Sequence, residues 1–142
     1  ALAIDIAGNV ILTGEFQGRV SFGGGELTHD GSGDAFIAKL DPDGGHIWSQ
    51  SLADPSECET GEGLGVAVDA SGNVVVVGSY LMPEIACTPG PLNFDVLVAK
   101  FGPTGSLLSR QRVGDSAYQI AEGVALDALP HCVSGASATR PK

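Results

Sequence analysis

The sequence is poor in basic residues: 7 lysines and arginines stand against 17 aspartates and glutamates, for a formal net charge of −10. A phosphate backbone would be repelled by such a surface, so we do not expect nucleic acid as a partner. Uninterrupted apolar stretches are short, and none approaches the roughly 18 residues of a membrane-spanning helix. The first residues lack an initiator methionine and a basic segment, and already read as a strand. We therefore expect a piece of a longer protein, whose targeting segment would lie outside it.

Motifs that carry chemistry are also scarce. Asp30, Ser32 and Asp34 alternate oxygen ligands as calcium loops do, but the central glycine and the closing glutamate of such a loop are missing. This partial match is the metal candidate that the sequence offers, and we expect no cofactor. No G-x-S-x-G elbow surrounds a serine. The histidines show no metal-ligand spacing; they are His29, His46 and His131.

Cysteine is rare and odd in number, with 3 residues, so at least one thiol is free or pairs between chains. Cys58 and Cys87 fall in two long loops that we place on the same side of the fold. A disulfide between them would stabilise the chain by about 3–4 kcal/mol. Cys132 is expected on the opposite side if the third unit follows the pattern. The alternative is that all three cysteines are unpaired small hydrophobic side chains.

Glycine is abundant, at 21 residues, and hydrophobic residues make up 43% of the chain. Together with frequent valine, this composition favours strands joined by tight turns. The chain also repeats itself. Residues 34–50 align without a gap with residues 95–111, and residues 1–14 align with residues 65–78. A third copy opens with "GVALD" at Gly123 and then loses the pattern. We therefore divide the chain into repeat units at 1–57 and 58–116, with a partial or degenerate unit at 117–142.

Each full unit reads as four strands. Val74–Val77 are all apolar, as expected for a strand covered on both faces, whereas the fourth strand of each unit is the most polar and reads as an outer edge. The expected strands are 1–5, 9–16, 34–40, 46–52, 65–69, 73–80, 94–101 and 106–113. Trp48 and Phe36 are expected in the core between units, with sugar stacking as the alternative for Trp48.

The connections within the units carry turn chemistry. Pro42 and Pro103 suit the second position of a type I turn, and glycines two residues later supply a positive φ. Asp5 and Asp69 precede similar turns and can accept backbone N–H groups there. A catalytic role is the other interpretation of these two aspartates, but turn formation accounts for their spacing.

The letters "DxxGNV", "GxF", "FGGGxLT", "GDAFIAKLDPDG" and "IWS" together resemble the SBBP repeat, a β-propeller repeat of bacterial surface and secreted proteins. The resemblance covers nearly all of residues 1–114. It implies an all-β fold of tandem four-stranded antiparallel propeller blades, here two blades plus a stub. It also implies an extracellular or cell-envelope location, and brings no catalytic motif. The second copy departs from the pattern at "MPEIACTPGPLN", and the third lacks the G-N turn.

These observations favour a non-enzymatic scaffold or binding module. Its long loops gather on one face of a propeller, and that face would bind a protein or a glycan. The exposed faces of the outer blades would be covered by the rest of the propeller or by self-association. The alternatives are part of a propeller enzyme, for example a lyase with an axial site, and a degenerate fragment without function.

Overall fold

The computed structural model describes residues 1–52, 60–82, 93–115, 119–126 and 132–137, without the side chains of 30–32, 82, 93 and 132–137. Every regular element in these residues is a β-strand, which confirms the all-β expectation. None of the described segments is a helix that could cross a membrane. The strands are β1 (Leu2–Ile4), β2 (Val10–Ser21), β3 (Glu26–Leu40), β4 (His46–Ser51), β5 (Thr60–Val68), β6 (Val74–Met82), β7 (Asn93–Phe101), β8 (Leu107–Val113), β9 (Ile120–Leu126) and β10 (Cys132–Ser137).

The strands form antiparallel sheets in sequential order. Sheet I contains β1 to β4, sheet II contains β5 to β8, and sheet III pairs β9 with β10. Sheets I and II thus correspond to the two full repeats. As expected from its apolar sequence, the stretch from Val74 to Val77 is at most 1% exposed. The polar strand β8 is the outer edge of sheet II, and most of its residues are exposed.

One expectation needs correction. Residues 17–33, expected as a loop, continue the β2–β3 ladder, in which Ser21 pairs with Glu26 at the far end. Strand-forming side chains such as Val20 and Leu27 extend the hairpin, which reverses at Gly23, where φ is +96°.

The third unit, expected to be partial or degenerate, forms a two-stranded hairpin in which Val124 pairs with Ser134.

The tight turns match the sequence reasoning. The four turn glycines have φ angles between +81° and +86°, and each donates its N–H to the carbonyl three residues earlier at 3.0 Å. These glycines are Gly8, Gly44, Gly72 and Gly105. In each sheet the two turns lie at the same end, because the chain returns to that end between its first two strands and again between its last two; Gly8 accordingly lies near Pro42, and Gly72 near Pro103.

The main core lies between sheets I and II. We call this interface the seam. Its buried members come from both sheets: Ile11, Ala35, Ile37, Trp48, Leu52, Val66, Val74, Val76, Tyr80, Leu97, Ala99 and Phe101. A smaller cluster, with Val77, Val96 and Ala121, lies between sheets II and III. Each sheet therefore packs by one face on its neighbour along the chain.

Candidate functional site

The aspartates considered as catalytic candidates are engaged in turns. Asp5 Oδ1 accepts the backbone N–H groups of Ala7 and Asn9, both at 2.9 Å. Its Oδ2 accepts the Asn9 side-chain amide at 2.8 Å and lies 2.9 Å from Lys39 Nζ. Both side chains of this ion pair are only 6% exposed. The pair ties the β1–β2 turn to strand β3.

Sheet II repeats this arrangement. Asp69 Oδ1 accepts the N–H groups of Ser71 and Asn73, and Oδ2 accepts the Asn73 side-chain amide at 2.7 Å. Burial alone would raise the pKa of Asp5 and of Asp69. The hydrogen bonds that each carboxylate accepts, with Lys39 near Asp5 and Lys100 near Asp69, instead hold both pKa values below the ordinary value of 3.8. Ionised acceptors fixed in this way serve the turns rather than proton transfer.

The seam is held by polar contacts as well as by apolar packing. The Trp48 ring stacks on Phe101 with 5.9 Å between centroids, and its Nε1–H donates to the Pro103 carbonyl at 3.0 Å. Gln50 donates its amide to the carbonyl of Gly105. A Cβ at Gly105 would lie 2.8 Å from the Trp48 ring, so the turn glycine also makes room for the indole. Strand β4 of sheet I thus packs against a tight turn of sheet II and donates hydrogen bonds to it.

Tyr80 links the two sheets near the other end of the seam. Its hydroxyl donates to the carbonyl of Leu52, and its side chain is fully buried. The guanidinium carbons of Arg110 and Arg112 lie 5.2 and 5.7 Å from the centre of the Tyr80 ring. These two cations come from the outer strand β8 and form cation–π contacts with the ring.

Sheet I has a second apolar face, turned away from sheet II. We call it the free face; its members, from β1 to β4, are Leu2, Ile4, Val10, Leu12, Phe16, Phe36, Ala38, Leu40 and His46, which share one side by strand pairing. Leu2 and Ile4 are 57% and 61% exposed. Their repeat counterparts in sheet II are Val66, 9% exposed, and Val68, which packs against the seam core. The free face is therefore the counterpart of the surface that the seam buries on sheet II.

The candidate calcium residues lie where the β2–β3 hairpin is irregular. Phe16 pairs with Asp34 and Gly18 with His29, so residues 30–33 bulge opposite Gln17. Asp34 is fully buried and accepts a hydrogen bond from the Ser51 hydroxyl. The side chains of Asp30 and Ser32 lie outside the described residues. Among described side chains, no three from histidine, cysteine, aspartate and glutamate gather as metal ligands would.

The remaining candidates fall outside the described part of the chain. Cys58 and Cys87 lie outside the described residues. Cys132 begins β10, but its side chain is not among those described. Trp48 is only 8% exposed within the seam, where it serves as a core residue. Sugar stacking would need an accessible ring face, and Phe101 covers one face of this indole.

Two features of the site were not foreseen. The buried Asp5–Lys39 pair was missed, although aspartate and lysine recur together in both repeats at matched positions. The hydrogen bond from Trp48 to the Pro103 turn of sheet II was also missed. The position equivalent to Trp48 in the second repeat is Ser109, so repetition gave no signal.

Comparison with known proteins does not identify the chain. No family model matches it, and no curated protein matches it at a significant level.

Proposed function

We propose that the chain is a segment of an extracellular or cell-envelope β-propeller, where it serves as a non-enzymatic scaffold or binding module for a protein or glycan. In this proposal, four-stranded sheets of one repeat stack face to face. The observation that carries it is the free face of sheet I. From Leu2 to Leu40, its members are the repeat counterparts of the sheet II residues that lie in the seam.

The occupant that fits the free face is another four-stranded sheet of the same repeat. Leu40, Pro42 and Gly44 of sheet I occupy the positions of Phe101, Pro103 and Gly105 in sheet II. An arriving outer strand with a tryptophan and an amide side chain would meet the apolar side chain of Leu40 in place of Phe101, and the two equivalent carbonyls of Pro42 and Gly44. Its docking would extend the seam contact by one further repeat.

The binding role is assigned to the end of the sheets opposite the tight turns. The four short turns at Gly8, Gly44, Gly72 and Gly105 join strands at one end of each sheet, and the connections that differ in length between the repeats start from strand ends at the other. The β2–β3 hairpin, which runs to Ser21 and Glu26, is the described element at this end. Scaffolds commonly place binding residues on such variable connections.

Stacking of repeats predicts the solution behaviour of the 142-residue chain. With the free face uncovered, the chain should self-associate or bind a hydrophobic dye, because exposed apolar patches drive association. The double substitution Leu2→Ser with Ile4→Ser should weaken this association about tenfold or more. Sedimentation velocity and dye fluorescence measure it.

The matched control replaces two equally exposed leucines away from the free face, Leu107→Ser with Leu108→Ser, both 54% exposed on β8. This pair should leave association unchanged. A stable monomer that binds no dye, in the unsubstituted chain, would refute the stacking proposal. Equal effects of the two double variants would show that association does not use the free face.

The binding role makes a separate prediction. Replacing residues 18–32 with an Asn-Gly turn should abolish any binding to a panel of immobilised glycans or envelope proteins, while circular dichroism keeps its strand signal. As control, Asp43→Asn alters an exposed turn at the opposite end and should not change binding. If binding survives the hairpin replacement but is lost in Asp43→Asn, the partner binds at the end with the tight turns, and the proposed binding end is wrong.

A further inference from the structure

The tip of the β2–β3 hairpin, residues 21–26, folds back over the outer half of the free face, which is the part formed by Phe36 and His46 on β3 and β4. Phe22 packs on Phe36 with 4.9 Å between ring centroids. Gly23 and Gly24 lie against His46, and a Cβ at Gly24 would overlap the imidazole ring. The inner half of the free face, which is the part formed by β1, stays strongly exposed at Leu2 and Ile4.

The ladder of the hairpin is interrupted where it leaves sheet I. The β2–β3 register shifts between Phe16 and Gly18, and residues 30–33 bulge at this level. Gly18 has φ of +69° and open space around its Cβ position, and Gly33 has φ of +154°. The two glycines flank the register shift, one on each strand, in conformations that other residues rarely adopt. The tip is therefore joined to sheet I through an irregular segment rather than by continuous strand pairing.

The tip is held on the sheet by packing. The hydrogen bonds and ion pair that the structure shows at the tip lie within the hairpin itself: Gly23 donates to Ser21 Oγ at 3.3 Å, and Arg19 lies 3.4 Å from Glu26. This ion pair is exposed, with side chains 75% and 50% accessible, so it contributes little. The closed position therefore depends mainly on Phe22 and on the glycine–imidazole contact.

The closed tip lies where a docking sheet would have to lie. Leu97 is the repeat counterpart of Phe36, and it is 0% exposed within the core shared by sheets I and II. A sheet that docks on the free face in the same way would come against Phe36, on which Phe22 now packs. The tip and a docking sheet would then compete for this position.

We infer that residues 21–26 form a hinged cap that competes with an incoming repeat sheet for the free face, and that docking of that sheet releases the cap towards the binding end. This inference rests on the proposed stacking of repeats. The cap shields the outer half of the face when no neighbour is present. The same hairpin becomes an exposed arm once the neighbour docks.

The test adds a neighbour to the full chain. A second copy of residues 1–64 is joined ahead of Ala1. The added copy carries Phe22→Leu, so that its peptides differ in mass, and Leu2→Ser with Ile4→Ser, so that its own free face no longer binds the dye. Hydrogen exchange followed by mass spectrometry then reports on the original residues 20–26. We expect exchange there about tenfold faster than in the unextended chain, together with loss of dye binding at the original free face.

Two comparisons make the outcome decisive. An extended chain whose added copy carries Trp48→Ser and Gln50→Ala should dock poorly and leave the original tip protected. In the unextended chain, Phe22→Ser should release the tip without any neighbour and raise dye binding. Loss of dye binding with full tip protection would overturn the cap but not the stacking. Persistent dye binding in the extended chain would overturn the stacking, and the cap with it.

Discussion

Substituting Trp48 with alanine should lower the free energy of unfolding by about 3–5 kcal/mol, the range for truncating a large buried aromatic side chain. The loss has two sources in the seam. The ring contact with Phe101 disappears, and the Pro103 carbonyl loses its indole donor. A domain has a stability margin of roughly 5–15 kcal/mol, so this one change should remove a large part of it.

The control for Trp48 is its neighbour on the same strand. Ile47 is 43% exposed, and Ile47→Ala should cost less than about 1 kcal/mol. Urea denaturation of the variants, followed by circular dichroism, measures both changes. Similar losses for the two variants would mean that Trp48 is not a seam residue in solution.

Replacing Lys39 with methionine should destabilise the chain by about 3 kcal/mol, because removing one partner leaves the other charge buried without its counterion. The Lys39–Asp5 pair is nearly inaccessible, at 6% for each side chain. Methionine keeps most of the length and apolar character of the lysine stem, so the effect reports mainly on the charge. Chemical denaturation gives the difference in free energy.

An exposed pair provides the matched control. Arg19→Met removes the partner of Glu26, whose pairing is open to solvent, and should change the free energy of unfolding by less than about 1 kcal/mol. If Lys39→Met were as mild as Arg19→Met, the buried pair would carry no more of the stability than a surface contact.

The free energy of unfolding should fall at low pH, because Asp5 and Asp69 then become protonated. The pKa values of Asp5 and Asp69 are lower in the folded chain than their ordinary value of 3.8. Between the folded and unfolded pKa values the unfolded state binds more protons, so stability rises with pH there. The contribution is complete above 3.8 and is lost as pH falls below it through the folded pKa values. In Lys39→Met the acid loss should be smaller, since Asp5 then has one stabilising partner fewer.

Much of the fold was predictable because its turns are local. The fixed φ of Pro42, the positive φ of Gly44 and the Asp5 acceptor act within a few residues, so each is readable from short stretches of sequence. The apolar run beginning at Val74 is also a local signal, and it indicated a central strand. Repetition then transferred each assignment from one sheet to the other.

The rest depended on contacts between distant residues. Trp48 meets Pro103 across 55 positions of sequence, and no pattern near either residue encodes that contact. The contact of Phe22 with Phe36 likewise joins the hairpin tip to a strand 14 residues away, and the sequence around residues 17–33 does not encode it. For the candidate site, the sequence indicated which end of the sheets varies, and the structure added the free face and its partial cover.

The central claim is that the two repeats dock face to face through Trp48, and Trp48 is the single tryptophan of the chain. Its fluorescence therefore reports on the seam without labels. The account predicts blue-shifted emission with little quenching by acrylamide, and a shift to solvent-like emission when urea unfolds the chain. Solvent-like, readily quenched emission from a chain whose circular dichroism still shows intact strands would contradict it.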